Sequence, residues 1–206
     1  MPNTKGVLDF GVREQESVEL QHINVKLLLR DPESVDLAAV VPVFHSWIQG
    51  QIFDEQLIDV ADYSHVPDGP GVMLIGHEAD YAVDNTDGRL GVRYNRKASL
   101  TCSNRERLQQ AFRCALKATE RLGQDLKLNF NGRDIEIVMN DRLLAPNTPE
   151  TRSALEPELN DFLGQLFKGE EFHLTQPAAE PRRLLGVGIH TAREFLVQDL
   201  LANLGP

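Results

Sequence analysis

The chain has 206 residues, of which 41% are hydrophobic and 25% are charged, a composition typical of a folded globular protein. Acidic residues outnumber basic ones by 31 to 21, and the resulting formal charge of -10 argues against a protein that holds nucleic acid by its phosphates. No apolar run reaches the roughly 18 residues that a membrane helix needs, and residues 1–6 lack the apolar stretch of a signal peptide. We therefore expect a cytoplasmic protein with neither a nucleic-acid nor a membrane partner.

The two cysteines, Cys102 and Cys114, are predicted to be free thiols. They bracket most of one predicted helix, and a rise of about 1.5 Å per residue places them beyond disulfide reach. Free thiols are typical of a reducing compartment, in agreement with the expected location.

In chain order, the first half predicts one helix and a run of strands. Residues 1–20 show no clear periodicity and are interpreted as an N-terminal arm that precedes a single domain over residues 21–206. The predicted elements are a strand at 22–29, a short turn at 32–40, a helix at 42–49, strands at 57–65 and 72–81 around a 67–71 turn, a turn at 85–88, and a strand at 90–97.

The second half predicts three helices and further strands. Ser103 and Glu106 have the spacing of a capping box, and Gly123 is the expected end of the helix that follows. Asn131-Gly132 between alternating apolar runs predicts a hairpin. The remaining elements are a helix from Pro157 to Gly169, strands at 172–175 and 184–189, and a terminal helix opened by a second capping box, Thr191 with Glu194.

These elements predict an α+β fold with an antiparallel-rich sheet of about six to eight strands and three or four helices on one face. When position n is set against n+115, Pro42 falls on Pro157 and Trp47 falls on Phe162. Each half then follows the order strand, helix, strand, turn, strand, helix. Residues 21–125 and 126–206 are therefore candidates for two pseudo-symmetric ferredoxin-like halves, although amphipathic helices align easily by chance.

The predicted hairpin at 57–81 contains ionisable groups within apolar runs. A turn at Gly69 would place Asp59 and His65 on the same face as His77, and neutral imidazole and carboxylate groups are suitable zinc ligands or a general acid and base. Glu78 points to the opposite face unless the strand bulges at Gly76. The alternative is that these histidines pack in the core and the carboxylates face solvent.

A second candidate site lies where a predicted strand passes through two glycines toward a helix start. Gly186 and Gly188 would expose backbone N–H groups to an anion, and His190, Thr191 and Arg193 would add donors. The third glycine of the dinucleotide-binding motif is missing. The alternative is that the glycines permit close packing and that Thr191 only caps the helix. Arg182 and Arg183 lie at the other end of the strand, too far away to converge on these donors.

The leading hypothesis is a non-enzymatic module that binds a small anion or self-associates, with no specific cofactor indicated. The runner-up is a metal-assisted hydrolase that uses His65, His77 and Asp59 for both catalysis and metal binding. A protein-protein adaptor that uses the N-terminal arm and a sheet edge is the third hypothesis. A local basic patch indicates solvated surface or an acidic partner; it comprises Arg93, Arg96, Lys97, Arg105 and Arg107.

Overall fold

The computed structural model describes residues 18–176, 180 and 182–205, and these residues contain one eight-stranded sheet with four α-helices. The predicted N-terminal arm therefore lies outside the described residues, apart from residues 18–20. The strands are β1 (Ile23–Leu29), β2 (Leu57–Tyr63), β3 (Gly71–Gly76), β4 (Ala79–Asp84), β5 (Gly91–Arg96), β6 (Phe130–Met139), β7 (Phe172–Thr175) and β8 (Leu185–Thr191). The helices are α1 (Val40–Gly50), α2 (Asn104–Leu126), α3 (Pro149–Leu166) and α4 (Val197–Asn203).

All neighbouring strands in the sheet are antiparallel, in the order β2-β3-β4-β5-β1-β6-β8-β7. Helix α1 packs on β2 and β3, α2 packs on β1 and β5, and α3 and α4 pack against α2. The helices thus cover one face of the sheet, and the opposite face, called here the open face, carries none of them. The predicted α+β class, strand number and helix number are confirmed.

The chain follows a similar path twice around the central β1–β6 pair. The first path is β1, α1, the four-stranded meander β2 to β5, and α2; the second is β6, α3, the β7–β8 hairpin, and α4. In each path the last strand before the closing helix pairs with the first strand. The predicted boundary at residue 125 falls at the end of α2. The duplication of the sequence itself stays a prediction.

Alternation along β1 separates the core from the open face. Val25 and Leu27 are fully buried among the residues under the helices, whereas Asn24 and Lys26 point to the open face. Helix α2 supplies the largest apolar stripe above β1, and the predicted capping box that starts it is confirmed by reciprocal bonds between Ser103 and Glu106. A cap of this kind stabilises a helix by roughly 1 kcal/mol.

The hairpin predicted at Asn131-Gly132 is wrong, because residues 130–139 form the single strand β6. The Asn131 side chain accepts hydrogen bonds from the backbone N–H groups of Arg133 and Asp134, and Gly132 has a φ of +84°. These features produce an irregularity in the β1–β6 register and not a reversal of the chain. The Asn-Gly sequence and its positive φ, which would suit a tight turn, form a local bulge in this strand.

The strand predicted at 72–81 is instead two strands. The chain reverses at His77 and Glu78, so that β3 and β4 form a second hairpin beside the β2–β3 pair. Neither residue is a strong turn former, so this reversal was not predicted from the residue types at positions 77 and 78.

Two helix starts also differ from the predictions. Helix α3 begins at Pro149 after the Thr148 cap, and Pro157 lies inside it. Thr191 belongs to β8, and α4 begins only at Val197, so Thr191 does not cap a helix.

Candidate ligand site on the open face

Polar side chains form two adjacent rows across the centre of the open face. In the first row, Arg93 of β5, Lys26 of β1 and Glu136 of β6 lie directly opposite one another. In the second row, Asn95 and Asn24 are paired in the same way, and the row continues to Val138 and Gly186. Side chains directly opposite one another on antiparallel strands lie on the same face, so these groups are close neighbours.

These rows form the floor of a cavity of about 650 Å³. Its walls come from the β4–β5 turn, from the loop after β6 and from the segment before β8. The lining residues are Asn24, Lys26, Thr86, Asp87, Arg89, Arg93, Glu136, Ile137, Val138, Arg142, Arg182, Arg183, Leu184 and Gly186. A concavity of this volume is within the range of small-molecule sites.

A buried ion pair organises the charged row. Lys26 Nζ donates to Asp84 Oδ1 at 2.6 Å, and Asp84 also accepts from the Thr86 hydroxyl at 2.8 Å. Gly91 lies beneath this contact, since a Cβ added there would lie 2.9 Å and 3.0 Å from Cγ and Cε of Lys26. The absence of a side chain at Gly91 therefore lets the lysine stem cross β5 to reach Asp84.

The carboxyl group of Asp84 is held in its charged form. Burial alone would raise its pKa, but the positive charges of Lys26 and Arg93 together with the Thr86 hydrogen bond leave the pKa below its usual value. Lys26 is 4% exposed and Asp84 is 1% exposed, so this pair is screened little by solvent. The floor of the cavity is a fixed charged network.

Two loops approach each other above the floor from opposite ends of the strands. The β4–β5 turn carries Asp87, and the segment before β8 carries Arg183. The Arg183 guanidinium donates to both carboxylate oxygens of Asp87, at 3.2 Å and 3.3 Å. Residues 87 and 183 are 96 positions apart, so this contact joins the two loops and bounds the mouth of the cavity.

Positive charge exceeds negative charge in the cavity. The lining contains six cationic side chains, which are Lys26, Arg89, Arg93, Arg142, Arg182 and Arg183. Within the described part of the chain, their carboxylate partners are Asp84, Asp87 and Glu136. Arg142 donates instead to the backbone carbonyl of Arg182, and neither of these two arginines has a carboxylate partner among the described residues. A positive site in a protein of net charge -10 favours an anionic ligand.

The amide row adds an unsatisfied acceptor. Asn24 lines the cavity and is 3% exposed, and its Oδ1 has no hydrogen-bond donor among the described residues. Oδ1 of the opposite Asn95 is also buried without a donor from this part of the chain. Most buried polar atoms in folded proteins have a hydrogen-bond partner. Of these two residues only Asn24 lines the cavity, so its amide is the group that a ligand in the cavity could partner.

A second polar cluster lies on the helix-covered side of the sheet. The Tyr81 hydroxyl donates to Glu55 at 2.5 Å, and the Tyr94 hydroxyl accepts from Gln110 at 2.7 Å. Burial raises the pKa of Glu55 above its usual value despite the Tyr81 hydrogen bond. Oε2 of Glu55 and Oε1 of Gln110 lack a donor among the described residues. The cavity beside Gln110 has a volume of only about 10 Å³, so the cavity on the open face has more room for a ligand.

The structure does not bring His65, His77 and Asp59 together. His65 lies in the β2–β3 turn, His77 lies at the opposite end of that hairpin, and Asp59 lies between them and bonds its neighbouring backbone N–H. A turn at Gly69 was expected to place Ala61 opposite His77, but Ala61 pairs with Met73 in the structure, so the expected register is wrong. Glu78 pairs with Arg96. Throughout residues 18–176, 180 and 182–205, no group of three His, Cys, Asp or Glu side chains could hold a metal ion.

The residues predicted around Gly186 separate into two groups. Gly186 lines the cavity, and Gly188 lies opposite Glu136 in the charged row. His190 bonds Asp134 at 2.8 Å, Thr191 is buried and donates to the Arg193 carbonyl, and Arg193 pairs with Glu170. Because no helix begins at Thr191, the helix-terminus anion site that was expected there does not form.

The glycine strand instead contributes to the cavity at its other end. Arg182 and Arg183 line the cavity together with Gly186. Both arginines lie just before the start of β8, whereas His190 and Arg193 lie at its other end, so the prediction that the two groups do not converge agrees with the strand register. The two arginines line the same cavity as Lys26 and Arg93, which belong to strands about 90 residues or more earlier in the chain.

The predicted basic patch is divided in the same way. Arg93 lines the cavity, but the other members contact neighbours elsewhere: Arg96 with Glu78, Lys97 with Asp80, Arg105 with Asp161, and Arg107 with Glu19. Sequence reasoning missed Asn24 and Lys26. The available signal was the alternation of these polar residues with Val25 and Leu27 in one apolar strand.

Neither the models of known protein families nor the curated proteins include a match to this chain. Within the described ranges, the helices are all too short or too polar to cross a membrane.

Proposed function

We propose that this protein binds a small polyanionic molecule in the cavity on its open face. The observation that carries this proposal is the surplus of cationic side chains around a concave site, where Arg142 and Arg182 have no carboxylate partner among the described residues. Guanidinium groups bind carboxylate and phosphate through paired, charge-assisted hydrogen bonds. The proposal agrees with the hypothesis of a non-enzymatic anion-binding module.

The charged floor supports this assignment. Lys26 and Arg93 already share Asp84, so they fix the positive end of the site without depending on a ligand for folding. The arginines at the rim of the cavity, Arg142, Arg182 and Arg183, are exposed to solvent. A buried charged floor with exposed arginines at the rim suits an anion that enters from solvent.

Calorimetry with defined anions tests the proposal. Pyrophosphate, citrate and phosphate are titrated into the protein at low and at moderate ionic strength. Tight binding that weakens with salt supports the proposal, because salt screens the attraction between exposed charges and the anion. The screening length is about 10 Å at 0.1 M salt. If none of the three anions releases or absorbs heat at low salt, the proposal is wrong.

A matched pair of variants locates the binding. Arg142→Ala combined with Arg182→Ala removes two positive charges at the rim, and Arg105→Ala combined with Arg121→Ala removes two from α2 on the other side of the sheet. We expect the first variant to weaken pyrophosphate binding by at least about tenfold, in keeping with the strength of charged hydrogen bonds. The second variant changes the net charge equally and is expected to bind as the wild type does. Equal losses of pyrophosphate affinity in both variants would indicate that the anion responds to the net charge of the protein and does not bind at a defined site.

Self-association is a second proposed property, favoured by the edge strand β2. Strand β2 ends one side of the described sheet, and Ile58 and Tyr63 on it are 53% and 42% exposed. An edge strand with exposed apolar side chains is a template for pairing with a second copy. Light scattering over a concentration series tests this: a dimer should form in the wild type and in Leu143→Lys, but not in Ile58→Lys. A wild-type monomer at every concentration would contradict the idea.

A further inference from the structure

The chemistry of the cavity also restricts what the anion must carry between its charged groups. The register orders the site along the strands: the row of Arg93, Lys26 and Glu136 comes first, and the row of Asn95, Asn24 and Val138 lies two residues further on. Arg142 follows beyond the end of β6. The uncharged row with Asn24, called here the neutral zone, therefore lies between the positive groups Lys26 and Arg93 on one side and Arg142 on the other.

The neutral zone has a hydrogen-bonding demand that an anion alone does not meet. Oδ1 of Asn24 lacks a donor from the described residues, and a carboxylate or phosphate dianion offers only acceptors. An ammonium group could donate, but Lys26 and Arg93 beside it would repel a cation. A hydroxyl group donates without adding charge, and it also accepts if the amide of Asn24 rotates about χ2 to present its nitrogen.

Asn24 is suited to such a role by its position. It lies between Asn95 and Val138 in the sheet, so its neighbours restrict the side chain on both sides. Gly186, opposite Val138 on the next strand, has no side chain to compete for the space above the row. A ligand held at its charged ends would place its middle portion over these residues.

We propose that the ligand is a hydroxylated polyanion, with at least two anionic groups and a hydroxyl between them that hydrogen-bonds the Asn24 amide. This inference rests on the proposed anion-binding function. The charges alone do not distinguish among small polyanions. The Asn24 amide favours hydroxy di- and tricarboxylates and phosphorylated hydroxy acids over simple dicarboxylates and inorganic pyrophosphate, which bind through the charged groups only.

Pairs of anions that differ by one hydroxyl test this inference. Citrate is compared with tricarballylate, and malate with succinate, by calorimetry on the full chain. The wild type is expected to bind the hydroxylated member of at least one pair about tenfold more tightly, because a site built to bond a hydroxyl is penalised when the group is missing. Asn24→Leu should reduce that ratio to about one while tricarballylate affinity stays within about threefold.

The controls separate the two proposals. If pyrophosphate binds but each hydroxylated anion binds no better than its partner, the anion site stands and the hydroxyl inference is overturned. If no anion binds, both fail. Should Asn24→Leu not fold, as judged by circular dichroism, Asn24→Ser and Asn95→Leu take its place, and a preference for the hydroxyl that survives in both overturns the role of the amide row.

Discussion

Lys26 Nζ lies 2.6 Å from Asp84 Oδ1, and the two side chains are only 5% and 2% exposed. The pair joins β1 to β4 across β5, over Gly91. Desolvating two charges is costly, and such a pair persists only when further hydrogen bonds satisfy it, as Thr86 and Arg93 do here. This relationship determines the shape of the cavity floor, and it leads to three of the predictions below.

Replacing Lys26 by methionine is expected to destabilise the protein by about 3 kcal/mol, because the carboxylate of Asp84 is then buried without its main counter-charge. Urea denaturation measures the change in the free energy of unfolding. Arg121→Met is the control, since it removes an exposed partner of Asp125 and should cost less than about 1 kcal/mol. Similar losses in both variants would mean that the buried pair contributes no more than a surface pair.

The lowered pKa of Asp84 predicts acid sensitivity. Since its folded pKa lies below the usual 3.8, the carboxylate contributes stability that is present above pH 4 or so and is lost as pH falls through the lower, folded value. The urea midpoint should therefore fall more steeply between about pH 5 and pH 2 in the wild type than in Asp84→Asn. Parallel curves for the two proteins would show that Asp84 does not take part in this titration.

Gly91→Ala is expected to destabilise the protein by about 2 kcal/mol, a cost typical of overpacking. The new Cβ would lie 2.6 Å from the Leu27 carbonyl oxygen and would also press on the stem of Lys26. Gly164→Ala in α3 is the matched control, because a Cβ there meets nothing within 4 Å and should stabilise the helix by about 0.5–1 kcal/mol. Thermal denaturation should show melting temperatures that move in opposite directions. A Gly91→Ala protein as stable as the wild type would refute the tight crossing of Lys26.

Asp87→Asn should increase anion affinity. In the free protein Arg183 is engaged by Asp87, so a ligand must compete with that carboxylate. Removing its charge should tighten pyrophosphate binding about threefold, consistent with the modest energy of exposed pairs. Asp161→Asn deletes the same charge beside Arg105, on the helix side, and is expected to leave calorimetric affinity unchanged. Weaker binding in Asp87→Asn would indicate that the loop contact assists the ligand.

The sequence predicted the parts of the fold that depend on local chemistry. Strand β1 and helix α2 follow from alternation and from the Ser103–Glu106 capping box, both of which are short-range signals. The Asn131-Gly132 prediction failed because the same positive φ serves a bulge or a turn, and pairing with β1 decides between them. Tertiary context outweighed a correct local signal.

The site was less predictable than the fold because it forms from distant segments. Lys26, Arg93, Arg142 and Arg183 lie on four separate parts of the chain, and only the strand order brings them together. Gly186 was predicted to lie beside a helix start, but α4 begins only at Val197, and Gly186 lies instead in the lining of the cavity. Only the order of the strands in the sheet shows that Gly186 lies near the arginines of the cavity.

The contact between Asp87 and Arg183 lets the entrance of the cavity change without a change in the stability of the sheet. Both residues belong to loops outside the hydrogen-bonded ladder, whereas the floor belongs to the central strands. Lengthening or shortening either loop would widen or narrow the entrance of the cavity, while the hydrogen-bonded strands of the sheet keep their register. The scaffold could thus acquire a different selectivity through changes at its periphery, with little demand on the residues that make it fold.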